Sequence, residues 1–440
     1  MDGAGMNNSL PEVFIERMRK QLGHELSAFL HALDEPSVRG IRLNPFKPTE
    51  STCEYKKNGR IPWTENGYYL PVDSTAGSSI FHAVGAFYIQ EPGAMLPAAV
   101  LNAKPGEKIL DLCAAPGGKS TQIGCSMKGQ GLLVCNEPVP KRAVILSGNI
   151  ERMGLPNTVV TCEWPGKLAK QWPEGFDAVL VDAPCSGEGM FRRDPETRKE
   201  WSEEKAEGCA ARQREILSAA ALMVRPGGRL VYSTCTYNPA ENEKNVSWFI
   251  DQHPEFQTEA FSLPEIDAPD GTYTCFPHRL QGEGQFVALF RKAGDGIADL
   301  SPDQIMPKPT CEEMKLFQTA FPDLPKPTHL FGKTLINCSH LPDLKGIRIY
   351  RAGLHLGETR GKVVIPDHAA ALCICQNNVQ TTGLNPETAV KYISGETVPG
   401  DAEGWTIMRY QGLNIGWGKG NGGVIKNHYP KSLRDIHIIP

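Results

Sequence analysis

Short apolar runs alternate with amphipathic stretches through the middle of the chain. Runs at residues 109–112, 132–135, 158–161, 176–185 and 229–233 have the length and β-branched content of buried strands, the fourth leading into a turn. Amphipathic spacing predicts helices from residue 119 onward and over 141–153, 212–224 and 241–252, and residues 285–291 predict a last strand at the sheet edge. This alternation predicts an α/β fold with a parallel, doubly wound sheet and helices on both faces. Such sheets bind ligands at the carboxyl ends of their strands.

The two ends of the chain follow other patterns. Apolar residues at helical spacing predict one amphipathic helix over residues 11–33. Residues 294–311 are rich in Gly, Pro, Asp and Ala, which indicates a linker. Short β-like segments separated by glycines follow it. We therefore predict an N-terminal segment 1–75, an α/β domain 76–293, a linker 294–311 and a mostly-β domain 312–440.

Composition narrows the class of protein. The 440 residues are 40% hydrophobic and 22% charged, as in globular proteins that fold in water. No apolar run approaches the roughly 18 residues of a membrane span, and the N-terminus lacks a signal-peptide pattern. Thirteen cysteines without a C-x-x-C pair indicate neither a disulfide framework nor a metal site. We predict a cytoplasmic protein with reduced thiols, no metal and no membrane partner.

The net charge is only −4, so any nucleic-acid binding must come from local basic patches. One candidate patch comprises Arg39, Arg42, Lys47, Lys56, Lys57 and Arg60. A second interleaves Lys419, Lys426, Lys431 and Arg434 with Trp417, His428 and Tyr429, a mixture that suits RNA contact by charge and stacking. An ordinary solvated surface is the alternative in both places.

The turn in GEKILDLCAAPGGKSTQIG, residues 106–124, joins a predicted strand to a helix N-terminus. Such a turn lets backbone N–H groups approach a ligand closely. It is not a phosphate-binding P-loop, because Cys113 stands where that motif needs glycine. Acidic residues end the first strand (Asp111) and follow the second (Glu137), where Glu137 can accept hydrogen bonds from a ribose. A ligand-free α/β turn is the alternative.

Two cysteines end neighbouring predicted strands: Cys185 follows Asp-Ala-Pro and Cys235 follows Ser-Thr. A buried, inert cysteine is the common case, but two at one crevice favour nucleophilic chemistry. A thiolate can add to C6 of cytosine, after which C5 can take a methyl group from S-adenosylmethionine and lose its proton. Asp182 is the candidate acid near N3. These residues alone do not indicate which thiol attacks.

The motifs DLCAAPGGKS, NEPVPKR, DAPCSGEGMFRRDP and YSTCTYNPAENE resemble the Nol/Nop/Sun family of RNA cytosine-5 methyltransferases. Within that family the chain is similar to the bacterial rRNA methyltransferase F group, which acts on small-subunit rRNA. The resemblance extends over nearly the whole chain. It implies a Rossmann-like class I methyltransferase core at 76–293, an N-terminal RNA-binding segment and a C-terminal, mostly-β PUA-like RNA-binding domain.

The resemblance also implies roles for individual residues. Cys235 is the nucleophile, Cys185 assists product release, and Asp182 lies between cofactor and base. Glu137 holds the ribose of S-adenosyl-L-methionine. Trp164 aligns with the aspartate that binds adenine in many relatives, and Glu163 is the candidate substitute. The methionine part is held by Cys113, Ala114, Ala115, Pro116, Gly117, Gly118 and Lys119.

We therefore predict a monomeric RNA cytosine-5 methyltransferase that acts on 16S rRNA. A tRNA cytosine-5 methyltransferase is one alternative. A DNA cytosine-5 methyltransferase is another, although such an enzyme uses the Pro-Cys thiol and needs no second one. A catalytically inactive RNA-binding or assembly factor is the third, against which both cysteines and the cofactor turn argue.

Overall fold

The N-terminal region begins with a helical hairpin. The computed structural model describes residues 10–47, 50–302, 305–373 and 379–440, without the side chains of 51, 53, 54 and 57. Two helices, α1 (Glu12–Leu22) and α2 (Leu26–Asp34), replace the single helix predicted over 11–33. Gly23, at φ 55°, ends α1 in the left-handed region that favours glycine. The prediction was wrong here because the apolar spacing continues through this break.

A small antiparallel sheet follows the hairpin, in the order β2-β1-β3. It joins residues on both sides of residue 75, where the sequence predicts a segment boundary. Its strands and the helices that follow are β1 (Arg39–Leu43), β2 (Gly67–Leu70), α3 (Ile80–Ala83), β3 (Phe87–Gln90) and α4 (Leu96–Leu101).

The central sheet has the order β12-β13-β8-β7-β4-β5-β6-β16, in which β16 (Ile349–Ala352) comes from the C-terminal region, and β9 also pairs with β13. The strands from β8 to β6 in this order are parallel, as predicted. The elements of this region are β4 (Lys108–Asp111), α5 (Gly118–Ser126), β5 (Leu132–Asn136), α6 (Pro140–Met153), β6 (Thr158–Thr161), α7 (Pro165–Gln171), β7 (Phe176–Asp182), α8 (Glu196–Glu200), α9 (Glu203–Met223), β8 (Val224–Thr234), α10 (Glu243–Gln252), β9 (Phe256–Thr258), β10 (Phe261–Leu263), β11 (Ile266–Ala268), β12 (Thr272–Cys275) and β13 (Gln285–Lys292).

Alternate residues of the parallel strands enter different cores. In β4, Ile109 packs in the cluster that contains α4, α5 and α6 residues, whereas Leu110 packs with α7, α9 and α10 residues. Helices therefore cover both faces, and the predicted doubly wound α/β architecture is confirmed. Two details of the prediction were wrong. β13 is an interior strand rather than an edge, since β12 and β9 pair with it, and α9 begins at Glu203 rather than at residue 212.

The C-terminal region contains two smaller sheets, ordered β14-β15-β17-β18 and β19-β21-β22-β23-β20. Its strand β16 instead extends the central sheet by pairing with β6. The last residues also return to the N-terminal region, because the N–H of Ile439 donates to Ser78 O at 2.8 Å. The elements are α11 (Cys311–Ala320), β14 (His329–Phe331), β15 (Thr334–Asn337), β16 (Ile349–Ala352), β17 (Leu354–Arg360), β18 (Val363–Pro366), α12 (His368–Cys373), β19 (Thr381–Leu384), α13 (Pro386–Ser394), β20 (Val398–Pro399), β21 (Gly404–Tyr410), β22 (Leu413–Asn421) and β23 (Val424–Asn427).

None of the helices within the described ranges is both long and apolar enough to cross a membrane.

Candidate active site

Four strands end at one crevice of the central sheet. β4 leads into the turn at residues 112–117, β5 into Glu137, β7 into the loop that carries Cys185, and β8 into the loop that carries Cys235. β7 and β8 are neighbours with Asp182 opposite Ser233, so the two cysteine loops leave the sheet side by side. The crevice therefore collects the motif residues that lie far apart in the chain.

The turn after β4 is held from several sides. The N–H of Ala114 donates to Asn136 O at 2.8 Å, and Arg142 Nη2 donates to Ala115 O at 2.9 Å. The Ala115–Pro116 peptide is cis, and Gly117 has φ 115°. A β-carbon on Gly118 would lie 3.3 Å from the Gln90 side chain. The turn thus needs its two glycines for backbone conformation and close packing, and its fold leaves the start of α5 facing the crevice.

Glu137 lies next to this turn and its carboxylate is nearly inaccessible, with 2% of the side chain exposed. One oxygen accepts from the N–H of Val139 at 2.9 Å, and the other lies 3.0 Å from Arg142 Nη1. Arg142 therefore holds both the turn and the Glu137 carboxylate. The sequence motif that contains Arg142, NEPVPKR, gave no indication of this role.

Polar side chains in contact with one another connect the turn after β4 to the start of the two cysteine loops. Lys119 Nζ lies 2.7 Å from Asp182 Oδ2, and Ser233 Oγ donates to Asp182 Oδ1 at 2.7 Å. Burial disfavours the charged form of Lys119, but Asp182 outweighs it, so the pKa of Lys119 is raised; a Cys235 thiolate acts in the same direction. Lys119 thus places a positive charge among the reactive groups.

Asp111 is a second buried acid of the crevice. Ser120 Oγ donates to its Oδ2 at 2.6 Å, whereas its Oδ1 is buried without a hydrogen-bond partner among the described residues. Burial raises the pKa of Asp111 to about 7. A buried acceptor without a donor costs free energy, so this oxygen is suited to receive a donor from a ligand.

The two thiols touch. Cys185 Sγ lies 3.2 Å from Cys235 Sγ, and both residues are partly accessible from the crevice. The hydrogen bond to Cys235 and burial raise the pKa of Cys185 well above its ordinary value. The raised pKa favours the neutral form of Cys185, and either sulfur can be the donor in the contact between the two thiols.

The N-terminal hairpin packs on the cysteine loops. Phe14 lies 5.0 Å from Phe191 and Phe29 lies 5.2 Å from Tyr237, measured between ring centroids. Arg17 Nη2 also lies 2.7 Å from the buried carboxylate of Glu188, which accepts from Trp201 Nε1 at 3.0 Å. The hairpin thus braces both loops, a role that its amphipathic spacing does not indicate.

Glu163 follows β6, at the edge of the crevice beside β5. Its Oε1 accepts from Lys167 Nζ at 2.8 Å and from the N–H of Arg348 at 2.9 Å. The C-terminal region therefore contacts the residue expected to bind adenine. The neighbouring Trp164 is 71% exposed.

The N-terminal basic patch is smaller than predicted. Arg42 is buried, where it donates to Gly118 O at 2.9 Å and to Thr121 Oγ1 at 2.6 Å, beneath the start of α5. Lys47 is also buried, with Nζ 2.7 Å from Val84 O and from Arg152 O. These two residues therefore stabilise the fold and cannot form an RNA surface. Lys56 and Arg60 are exposed, and the side chain of Lys57 lies outside the described residues.

The C-terminal patch also differs from the prediction. Trp417 and Tyr429 are only 1% and 3% exposed, so neither can stack on a base. Trp405, which the prediction omitted, lies opposite Lys419 on β21 and β22. Lys419 Nζ is 5.4 Å from the Trp405 ring centroid, and the ring of His428 is 4.4 Å away.

Lys426 lies opposite Lys419 on β23 and is exposed, as are Lys419 and His428. We call this group the Trp405 patch; its members are Trp405, Lys419, Lys426 and His428. The patch combines a half-buried ring with two exposed cations on one sheet face. Trp405 lies near Lys419, Lys426 and His428 because of the pairing between strands. The order of residues along the chain therefore does not indicate that Trp405 belongs to the patch.

Four models of known families match successive stretches of the chain. Residues 98–291 match the model of 16S rRNA methyltransferase RsmB/F, and residues 10–92 match the N-terminal domain of 16S rRNA methyltransferase RsmF. Residues 311–374 match the RsmF rRNA methyltransferase first C-terminal domain, and residues 379–435 match the methyltransferase RsmF PUA domain. The match at residues 379–435 confirms the predicted PUA-like fold at the C-terminus.

Similar proteins extend over almost the whole chain. Ribosomal RNA small subunit methyltransferase F of Salmonella arizonae is 33% identical over 463 residues, with 96% of each chain covered. The protein of the same name from Escherichia coli O127:H6 is 33% identical over 471 residues, again with 96% of each chain covered.

Solved structures share the fold of the core. A crystal structure of PH0851 is 32% identical, with a TM-score of 0.61 over 64% of this chain and 66% of that one. A methyltransferase homolog protein from Pyrococcus horikoshii is 26% identical, with a TM-score of 0.56 over 65% of this chain and 96% of that one. NSun6 from Pyrococcus horikoshii with SFG is 22% identical, with a TM-score of 0.57 over 66% of this chain and 100% of that one, and so shows the fold alone.

Proposed function

The chain belongs to the RsmB/F family of 16S rRNA methyltransferases, and we propose that it methylates C5 of a cytosine in 16S rRNA through a covalent adduct with Cys235. It is an S-adenosyl-L-methionine-dependent rRNA methyltransferase. The observation that carries the proposal is the contact between the two thiols, 3.2 Å apart, beside the Lys119–Asp182 pair.

The residues of the crevice fit the cofactor. The partnerless Oδ1 of Asp111 is suited to a donor of the methionine part, and the turn from Cys113 to Lys119 offers backbone groups at the start of α5. Glu137, oriented by Arg142, would hold the ribose. Lys167 and Arg348 both donate to Oε1 of Glu163, so Glu163 would face the adenine with its other oxygen, Oε2. When bound, S-adenosylmethionine supplies an electrophilic methyl group.

Different side chains of the crevice carry out different steps of the reaction on the cytosine. The Cys235 sulfur forms a bond to C6 of cytosine, while N3 receives a proton delivered through Asp182, which Lys119 and Ser233 hold in place. C5 thereby becomes electron-rich and is methylated. The C5 proton then passes to water, the C6–sulfur bond breaks as the C5–C6 double bond forms, and N3 returns its proton to Asp182, which restores the aromatic ring. Cys185 would donate its thiol proton to the leaving Cys235 sulfur and regain a proton from water.

This division favours the RNA enzyme over its DNA-acting alternative. An enzyme that attacks with the Pro-Cys thiol needs no second cysteine. Here a second thiol, Cys235 Sγ, lies 3.2 Å from Cys185 Sγ, which fits attack by one sulfur and release assisted by the other.

The Trp405 patch is the proposed contact for RNA outside the crevice. An exposed lysine pair supplies charge for the phosphate backbone, and the half-buried Trp405 ring supplies a face on which an unpaired base can stack. Its position in the region that matches the PUA domain supports this proposal.

Nucleoside analysis tests the proposed reaction. Incubation of the protein with unmodified 16S rRNA and labelled S-adenosylmethionine should give label only in 5-methylcytidine after digestion, and Cys235→Ala should give none. Cys311→Ala is the matched control, because Cys311 is exposed on α11. Label in another nucleoside, or undiminished labelling by Cys235→Ala, would contradict the proposal. Transfer RNA and DNA in place of 16S rRNA test the alternative substrates.

A further inference from the structure

Glu241 belongs to the loop of Cys235 but bonds to the loop of Cys185. We infer that it is a positioning residue that fixes the two thiols relative to one another. The inference rests on the proposed function, in which Cys235 attacks the base and Cys185 assists its release. Two thiols that act in succession on one base must keep their spacing while the covalent adduct forms and breaks.

The Glu241 carboxylate holds the Cys185 loop on both sides of the cysteine. Its Oε2 accepts from the N–H of Ser186 and from Gln213 Nε2, both at 2.9 Å, and its Oε1 accepts from Ser186 Oγ. Gln213 Nε2 also donates to Pro184 O at 3.0 Å. Ser186, which follows Cys185, is therefore bonded to Glu241 directly, and Pro184, which precedes Cys185, is connected to Glu241 through Gln213.

The same network reaches the Cys235 loop. Thr236 follows Cys235, and its Oγ1 lies 2.9 Å from Ser186 Oγ. Because Ser186 Oγ donates its proton to the carboxylate, the Thr236 hydroxyl donates to Ser186 Oγ. The N–H of Gly189 adds a second link by donating to Cys235 O at 2.9 Å. One carboxylate thus connects the residues that follow the two cysteines.

The burial of the Glu241 carboxyl group, which raises its pKa, supports a specific role. Its side chain is fully buried, and it has no ion pair among the described residues; all its donors are neutral. A buried carboxylate without a cation is costly. An amide would fill the same space at lower cost, but it has one oxygen and cannot accept from all three donors. Glu188 differs, because Arg17 pairs with it and ties it to the hairpin.

Reversible oxidation of the two thiols measures their spacing without RNA or cofactor. In a mixture of oxidised and reduced dithiothreitol, the Cys185 and Cys235 thiols form one disulfide while one dithiothreitol disulfide is reduced. Peptide mapping by mass spectrometry gives the equilibrium constant for this pair in the full chain. We expect Glu241→Gln to lower that constant at least about tenfold, which is close to 30 mV for a two-electron couple.

Matched variants separate positioning from general loss of structure. Thr236→Val should lower the constant as Glu241→Gln does, and Thr236→Ser, which keeps the hydroxyl, should restore it. Glu243→Gln should leave it unchanged, because Glu243 is exposed at the start of α10. If Glu241→Gln does not fold, Thr236→Val and Thr236→Ser decide the question. An unchanged constant in folded Glu241→Gln or in Thr236→Val would overturn the inference.

Turnover supplies the second readout. With 16S rRNA and S-adenosylmethionine, Glu241→Gln should accumulate a covalent protein–RNA complex although both cysteines are present, because release loses its aligned thiol. Uniformly slower methylation without that complex would contradict the positioning role. One combination of results separates the two proposals. If Glu241→Gln lowers the disulfide equilibrium constant as expected, but neither Glu241→Gln nor Cys185→Ala accumulates a covalent complex with RNA, the proposed function fails and the positioning of the thiols stands.

Discussion

At the residue scale, the site depends on two sulfurs of the same chemical type that touch one another but have different neighbours. Cys185 Sγ lies against Cys235 Sγ, and the loop of Cys185 is held by a network that includes Ser186 and Glu241. The neighbours of each sulfur, rather than its residue type, therefore decide its role. This is why the residues alone left the order of the two thiols open.

The cofactor site offers a single-residue test. Glu137→Ala should weaken S-adenosylmethionine binding by about 1.5–3 kcal/mol, the range for hydrogen bonds that involve a charged group. Calorimetry in the presence of a chelator measures this affinity, since no metal takes part in the proposed reaction. Glu207→Ala on α9 is the control, because Glu207 is exposed. Unchanged affinity of a folded Glu137→Ala protein would contradict the role of Glu137.

Sequence patterns identified the motif residues of the site but not the burial of the charged ones. DLCAAPGGKS and the two cysteine motifs lie at strand ends, and the rule that ligands bind there brought them to one crevice. Arg42 was assigned to an RNA surface because a basic run predicts solvent exposure. In the structure it donates to Gly118 O and Thr121 Oγ1, which are 76 and 79 residues away along the chain. Sequence spacing carries no signal for such long-range contacts.

At the scale of elements, the α1–α2 hairpin is the support for the cysteine loops. Phe29 is fully buried and contacts Tyr237 and Phe276. Phe29→Ala should destabilise this packing by about 3–5 kcal/mol. We expect faster proteolytic cleavage within residues 10–35 and more than about tenfold slower methylation, whereas calorimetry should find the S-adenosylmethionine affinity nearly unchanged.

Val13→Ala is the control for this prediction, because Val13 lies on the same hairpin and is 46% exposed. A Phe29→Ala protein with wild-type protease resistance and full activity would refute the supporting role of the hairpin.

The order of strands and helices in the core could be predicted, because each buried strand is followed by an amphipathic segment with turn residues between them. The edges of the sheet could not. β16 comes from the C-terminal region, and its pairing with β6 joins residues about 190 positions apart, as in Ile349 opposite Thr161. At the other edge of the sheet, β12 pairs with β13, so β13 is an interior strand. Neighbours in a sheet are fixed by tertiary packing, which periodicity does not encode.

At the scale of the whole molecule, the C-terminal region is tied to the catalytic core and to the N-terminal region. It supplies β16, the N–H that binds Glu163, and the Ile439 contact to Ser78. The three-part division of the chain stays a prediction. Removal of residues 312–440 would expose the β6 edge and take away the hydrogen bond from the N–H of Arg348 to Glu163. RNA binding is therefore tested better by substitutions on the surface.

The Trp405 patch permits such a test. Lys419→Gln with Lys426→Gln should reduce the slope of log affinity against log salt by about 2, roughly 1 for each phosphate that a lysine no longer neutralises. Trp405→Ala should instead weaken binding by about 1–3 kcal/mol with little change in that slope, because stacking is not a charge interaction. Filter binding of 16S rRNA over a range of salt concentrations measures both quantities.

Lys362→Gln is the control for the charge changes, since Lys362 is exposed beside β18 in the other C-terminal sheet. Wild-type affinity and salt slope in the patch variants would show that this surface does not contact RNA.

The central claim is that Cys235 attacks the base and Cys185 releases it. Trapping of the covalent complex on a denaturing gel tests this most directly. With 16S rRNA and S-adenosylmethionine, Cys185→Ala should accumulate a shifted protein–RNA band that depends on the cofactor, and Cys235→Ala and the double variant should form none. A band trapped by Cys235→Ala and absent from Cys185→Ala would contradict this claim and assign the attack to Cys185.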